Sequence, residues 1–203
     1  MALLERFRRN LQGFRDRWGL ERHEISPTSD GALELRNRYG RELRQMIEEA
    51  SEQGREVGLM LCQDSSGQIH LGQPCWGQRS TVTVRDCHGM IPVGSFHVHL
   101  RGVDVFSPPD FDIAIRKEDL SCVGYVKDGR PMMKCITPQK FYEYPLTERL
   151  NIRGALGEAR VELDRLKAAR PSYSSLCSIP PGEIARLALT GVAQKLGALE
   201  IAL

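Results

Sequence analysis

The chain has 203 residues, of which 41% are hydrophobic and 27% charged, and its net charge is only +2. A complete TIM barrel needs about 250 residues and is excluded, and the balanced charge gives no support to a nucleic-acid partner. No apolar run approaches the roughly 20 residues of a membrane span, and the charged amino terminus does not resemble a secretory signal. We therefore expect a cytoplasmic protein without a nucleic-acid or membrane partner.

The first 31 residues are expected to form an amino-terminal helix and a linker. Residues 1–22 carry apolar side chains at helical spacing, namely Leu3, Leu4, Phe7, Leu11, Phe14 and Trp18. Arginines fill much of the remaining surface, so this amphipathic helix binds either a membrane surface or a partner, or packs onto its own domain or a neighbouring subunit. Packing is the preferred interpretation, and terminal helices of this kind could mediate homo-oligomer formation. Residues 23–31 contain Pro27 and Gly31 and are typical of a linker.

The central segment mixes helices with strands. An apolar stripe predicts a helix over residues 32–53, ended by Gly54. A strand, a turn at Asp64–Gly67 and a second strand follow. Alternating or apolar runs predict further strands at residues 80–85 and 95–100.

The second half of the chain begins with a predicted helix at Ser107, where Pro108 and Pro109 fit the first turn. A hairpin turning at Asp128–Gly129 comes next. Further helices are predicted at residues 154–169 and 183–203. The order of elements indicates a mixed α/β domain around one sheet over residues 32–150, with a carboxy-terminal helical extension over 151–203.

The six cysteines form no CxxC pair. Because the chain shows no export signal, we expect them to be reduced thiols without disulfides.

A group of polar residues indicates a metal site. His97 and His99 lie two apart at the end of a predicted strand, so both imidazoles should project from one face. Asp110 lies at a helix start and could fold back beside them, which gives two histidines and one carboxylate with an open fourth position, as in catalytic zinc sites. Ser107 could donate to an oxyanion. Glu56 begins an apolar strand, where a carboxylate is otherwise out of place, and is the candidate general base.

These residues resemble a known motif. Glu56 followed by His97-x-His99, seven residues, Ser107, two residues and Asp110 is similar to the JAMM motif of the MPN+ zinc metalloprotease family. The resemblance covers residues 32 to about 137. It differs at Val98 and Leu100, where the family usually has serine and proline, so the substrate fit is expected to differ.

The resemblance implies an MPN-like (cytidine-deaminase-like) fold for residues 32–150 and a catalytic role for that domain. It implies that His97, His99 and Asp110 bind Zn²⁺, that Glu56 moves a proton from water to the leaving amine, and that Ser107 stabilises the oxyanion. It also implies a metallo(iso)peptidase acting at the carboxyl terminus of a ubiquitin-like or sulfur-carrier protein. We expect such a tail to add a strand to the hairpin at residues 122–138.

Other interpretations remain open. A non-catalytic MPN-type scaffold that binds partners is the main alternative, although scaffold versions typically lose motif residues. A DNA-repair branch of the same fold is a weaker one. His97 and His99 could also be ordinary strand residues, with Ser107 and Asp110 a plain helix cap. Asp104 and Asp112 flank the motif and are interpreted as solvated or capping residues.

Overall fold

The computed structural model describes six stretches of the chain: residues 30–77, 87–100, 102–117, 120–136, 139–169 and 181–203. The predicted amino-terminal helix, most of the predicted linker and the predicted strand at residues 80–85 lie outside these stretches.

Five helices and seven strands make up the described part. The helices are α1 (Asp30–Gln53), α2 (Pro108–Lys117), α3 (Gln139–Glu143), α4 (Leu146–Ala169) and α5 (Glu183–Lys195). The strands are β1 (Val57–Gln63), β2 (Ile69–Leu71), β3 (Cys75–Trp76), β4 (Ile91–Val98), β5 (Leu120–Lys127), β6 (Arg130–Ile136) and β7 (Leu199–Ala202).

The strands form one mixed sheet in the order β2-β1-β4-β5-β6-β7, with β3 also paired to β1. Only β4 and β5 are parallel, and every other pairing is antiparallel. Parallel neighbours require a crossover connection, and here α2 supplies it. The segment that carries the candidate site is therefore the crossover between two central strands.

The sheet separates two hydrophobic clusters. On one face α1 packs with side chains such as Ile47 against Phe96. On the other face α2, α4 and α5 cover β5 residues that include Val123 and Tyr125. Gly124 lets α1 approach closely, because a Cβ atom there would lie 2.7 Å from both Ile47 and Phe96.

Three local predictions are confirmed, and the strand predicted at residues 95–100 is β4, which runs from Ile91 to Val98. The helix over residues 32–53 is α1, and Gly54 follows it with a φ of 61°. The turn at Asp64–Gly67 joins β1 to β2, where the Asp64 carboxylate accepts hydrogen bonds from the backbone amides of Ser66 and Gln68. The hairpin turning at Asp128–Gly129 is the β5–β6 pair.

The carboxy-terminal prediction is partly wrong. The helix predicted from residue 154 begins at Leu146, so the boundary expected after residue 150 falls inside α4. The helix predicted over residues 183–203 ends at Lys195. Gly197 then takes a φ of 70°, and residues 199–202 pair antiparallel with β6. The extension therefore contributes a strand to the sheet.

The expectation of six reduced thiols is also wrong. Disulfides join Cys62 to Cys87 and Cys122 to Cys135, while Cys75 is free and half-buried. Spacing along the chain does not reveal these pairs, because the fold brings them together. The β5–β6 register places Cys122 directly opposite Cys135.

Within the described ranges, no helix combines the length and apolar character needed to cross a bilayer.

Candidate metal centre

The two histidines meet at the carboxyl end of β4. The strand ends at Val98, but the His99 amide still donates to the Gly124 carbonyl at 2.8 Å, so the extended geometry continues through both residues. As alternation in a strand requires, both imidazoles project to the same side. Their Nε2 atoms lie 2.9 Å apart. His99 is fully buried, whereas the His97 side chain keeps 16% of its surface exposed. Access to the pair is therefore from the side of His97.

Asp110 completes the group from the first turn of α2. Its Oδ1 lies 3.3 Å from His97 Nε2, and its Oδ2 lies 3.4 Å from His99 Nε2. One ligand atom from each of the three residues falls within 4.8 Å of the others, so the group could hold a metal ion. The structure brings together the three residues that the sequence predicted as ligands.

Ser107 and Asp110 also form a helix cap. The Ser107 amide and hydroxyl both donate to Asp110 Oδ2, at 2.7 and 2.6 Å. The Asp110 amide donates to Ser107 Oγ at 3.4 Å, which gives the reciprocal pattern of a capping box. The plain-cap interpretation and the metal-site interpretation are therefore compatible, because the cap holds the carboxylate where it faces both imidazoles.

Glu56 lies at the start of β1, directly before Val57. The β1–β4 register pairs Gly58 with His97, so Glu56, two residues earlier on β1, lies at the His99 end of β4. Its side chain is buried, and in the described part of the chain its Oε1 has no hydrogen-bond partner. Burial raises the pKa of Glu56 from 4.5 to about 7. The charge of His97 lowers this pKa by a smaller amount, and the charge of Asp110 raises it.

The Asp110 carboxylate and the His97 imidazole shift each other's pKa in opposite directions. Burial alone would lower the pKa of His97, but the charge of Asp110, the hydrogen bond to it and the charge of Glu56 raise it above its ordinary value. Burial alone would raise the pKa of Asp110, but the charge of His97 and the hydrogen bonds to both histidines hold it well below its usual range. Both shifts favour an ion pair between His97 and Asp110.

The donor set fits a transition metal such as zinc. Two imidazole nitrogens and a carboxylate oxygen are ligands that Zn²⁺ takes in catalytic sites. Tetrahedral ligands at about 2.0–2.1 Å from zinc lie roughly 3.3 Å from one another, close to the two nitrogen–oxygen separations. The histidine nitrogens lie somewhat closer than this and would need to separate by a few tenths of an ångström. Ligating histidines usually donate their second nitrogen to an acceptor, but His99 Nδ1 finds none among the described residues.

The prediction that Asp104 is a solvated or capping residue is wrong. It is 9% exposed, and its Oδ2 accepts a hydrogen bond from Arg186 at 2.7 Å. Asp112, by contrast, is exposed and pairs with Arg160 at 3.5 Å. The valines on both sides of Asp104 are the signal that could have indicated burial, because a lone acid within an apolar run is seldom solvated on every side.

The hairpin that was expected to receive a substrate tail is not at an edge of the sheet. In the described structure β4 flanks β5, and β7 flanks β6. The prediction of a free hairpin edge is wrong because residues 199–202, which were predicted to be helical, form the strand that covers β6.

No protein-family model and no curated protein sequence matched the chain.

Proposed function

We propose that this protein is a zinc-dependent metallo(iso)peptidase of the JAMM/MPN+ type, with an MPN-like fold. One observation carries the proposal: His97, His99 and Asp110 converge within 4.8 Å at the end of a central strand. The sequence motif that led to these residues also contains Glu56, whose buried carboxyl lies on the neighbouring strand. A helix cap alone would not require two imidazoles and a second buried carboxyl at the same place.

The three ligand residues would hold Zn²⁺, which supplies Lewis acidity to a water molecule and to a substrate carbonyl. Glu56 accepts a proton from the attacking water and returns it to the amine that leaves. Burial raises the pKa of this carboxyl to about 7 in the metal-free protein, and the nearby cation would favour its ionised form, which is the form that accepts the proton. Oε1 of Glu56 has no hydrogen-bond partner among the described residues, which leaves this oxygen for the exchange.

Ser107 has two tasks in this mechanism. Its hydroxyl and amide hold Asp110 Oδ2, which orients the ligand carboxylate. Rotation about its Cα–Cβ bond would turn the hydroxyl from Asp110 towards the developing oxyanion. The amide would still hold Asp110 after that rotation, so both tasks are compatible.

The substrate class follows from the family resemblance and from the shape that the chemistry demands. A scissile carbonyl has to reach both the metal and Ser107, so the chain that precedes it has to be narrow. The small residues that end ubiquitin-like and sulfur-carrier proteins meet this requirement. The bond cleaved is therefore the amide or isopeptide bond after such a tail.

The test combines metal analysis with cleavage assays on fusions of ubiquitin-like and sulfur-carrier proteins. We expect the wild-type protein to bind zinc stoichiometrically and a His97→Ala/His99→Ala variant to bind none. Glu56→Gln should keep zinc but lose activity by about 10²–10⁴-fold, because an amide cannot accept the proton.

His70→Ala is the matched control, since His70 pairs with Asp64 in the β1–β2 hairpin and belongs to no part of the site. It should leave both zinc content and activity unchanged. Undiminished zinc in the double variant would exclude the metal site. Wild-type protein that binds zinc but cleaves no substrate would favour the scaffold alternative.

A further inference from the structure

Asp104 lies midway along the connection that carries the candidate ligands. Its carboxylate Oδ2 accepts from Arg186 of α5 at 2.7 Å, and its backbone carbonyl accepts from Lys134 of β6 at 2.6 Å. Two cations from two different elements therefore meet at a single, nearly buried residue of the loop. The Arg186 contact offsets part of the cost of burying the carboxylate, whose Oδ1 has no partner among the described residues, and the Lys134 contact holds the backbone.

Between His99 and Ser107, Asp104 makes polar contacts that join the loop to α5 and β6. The loop leaves β4 after the His99 amide bonds to Gly124, and a turn follows in which the Val103 amide donates to the Leu100 carbonyl. Val105 and Phe106 then enter the cluster beneath α2, α4 and α5. Apolar packing buries this segment, and the contacts of Asp104 join it to α5 and β6.

Lys134 is itself held in place. It lies 3.3 Å from a Glu200 carboxylate oxygen on β7 and 5.5 Å from the centre of the Tyr125 ring. Glu200 also accepts from Lys127 at 2.8 Å. The contacts of Asp104 therefore connect the loop to α5 through Arg186 and to β7 through Lys134 and Glu200. Both elements lie beyond the stretch that resembles the JAMM motif.

We propose that Asp104 is a positioning residue for the metal centre: its pairing with Arg186 and Lys134 sets where the loop delivers Ser107 and Asp110 opposite the two histidines. This inference rests on the proposed metal site and adds to it a role for the carboxy-terminal segment. Weakening the pairing would let the segment before α2 shift, and the Asp110 carboxylate would lose its fixed distance from both imidazoles.

The experiment measures metal binding directly. Metal-free protein is titrated with Co²⁺, whose visible absorption bands report the arrangement of its ligands, and Zn²⁺ affinity is obtained by competition. Asp104→Asn should weaken binding of both ions by about 10-fold, in the range found for residues that orient ligands, and should change the Co²⁺ spectrum. Arg186→Gln should act in the same direction, and Arg186→Lys should restore most of the affinity because it keeps the charge beside Asp104.

The control is Asp112→Asn, which removes an exposed acid that pairs with Arg160 in the same region. It should leave Co²⁺ affinity and spectrum unchanged. The melting temperature of each metal-free variant is measured in parallel, because a purely structural role would lower it without altering metal affinity.

Wild-type Co²⁺ affinity and spectrum in both Asp104→Asn and Arg186→Gln would overturn the inference while leaving the metal site intact. A wild-type protein that binds neither ion would instead refute the metal site, and this inference with it. If Asp104→Asn does not fold, the two Arg186 variants decide, because the Arg186 side chain is half exposed and its replacement is better tolerated.

Discussion

The buried carboxyl of Glu56 makes the stability of the metal-free protein depend on pH. In the folded protein its pKa is about 7, whereas its ordinary value is 4.5. The folded state therefore holds the proton more tightly than the unfolded state. Stability associated with the protonated carboxyl is complete below about pH 4.5 and is lost as the pH rises to 7, where the folded protein has to bury a charge.

Glu56→Gln removes this loss, because an amide of nearly the same shape carries no charge at any pH. The interval between the two pKa values corresponds to about 3 kcal/mol, since one pKa unit is about 1.4 kcal/mol. We therefore expect the variant to exceed the wild type in free energy of unfolding by less than about 1 kcal/mol at pH 5 and by about 3 kcal/mol at pH 8. Metal should reduce this difference, because a nearby cation favours the ionised carboxyl.

The assay is urea unfolding of chelator-treated wild type and Glu56→Gln between pH 5 and 8. Comparing the two proteins cancels the titration of groups that both contain. The control is Glu52→Gln, because Glu52 is an exposed acid near the end of α1. Its free energy of unfolding should match that of the wild type at every pH. A constant difference between wild type and Glu56→Gln across this range would refute the burial of an ionisable carboxyl beside the site.

Three further predictions concern packing, cysteines and substrate. Gly182→Ala should lower the free energy of unfolding by about 1–2 kcal/mol, because a Cβ atom there would displace the Glu162 carboxylate that accepts from the first turn of α5. Gly157→Ala, in open space on α4, should raise it by up to about 1 kcal/mol, and urea unfolding in which the two variants match would contradict this contrast. The intact mass should rise on reduction by two hydrogen atoms for each of the two disulfides, and an unchanged mass would refute both bonds. Fusions whose tail ends in Gly-Gly should be cleaved faster than Val-Val versions, and equal rates would exclude a narrow tail channel.

The candidate site could be found from the sequence because its determinants are local. Alternation along one strand places His97 and His99 on one side, and a capping pattern places Asp110 at a helix start. The position of Glu56 needed one further condition, that β1 lies beside β4, and the structure meets it. Short-range rules therefore sufficed to predict the three candidate ligands.

The parts that could not be predicted depend on distant partners. Residues 199–202 become a strand only because the exposed edge of β6 is available to them. The partners of Asp104, which are Lys134 and Arg186, lie 30 and 82 residues away along the chain. The disulfides follow from the sheet register and from the packing near β1. None of these contacts produces a periodic pattern of residues in the sequence.

The placement of β7 has a consequence for how the chain folds during synthesis. Its partner β6 ends at residue 136, but the strand that pairs with it begins only at residue 199. Until those later residues leave the ribosome, β6 presents a row of unpaired backbone amides and carbonyls, which is the feature that promotes pairing with other chains. The waiting interval is several seconds at about 5–20 residues per second. A holding chaperone present during synthesis should therefore raise the soluble yield, because it covers this edge until β7 emerges.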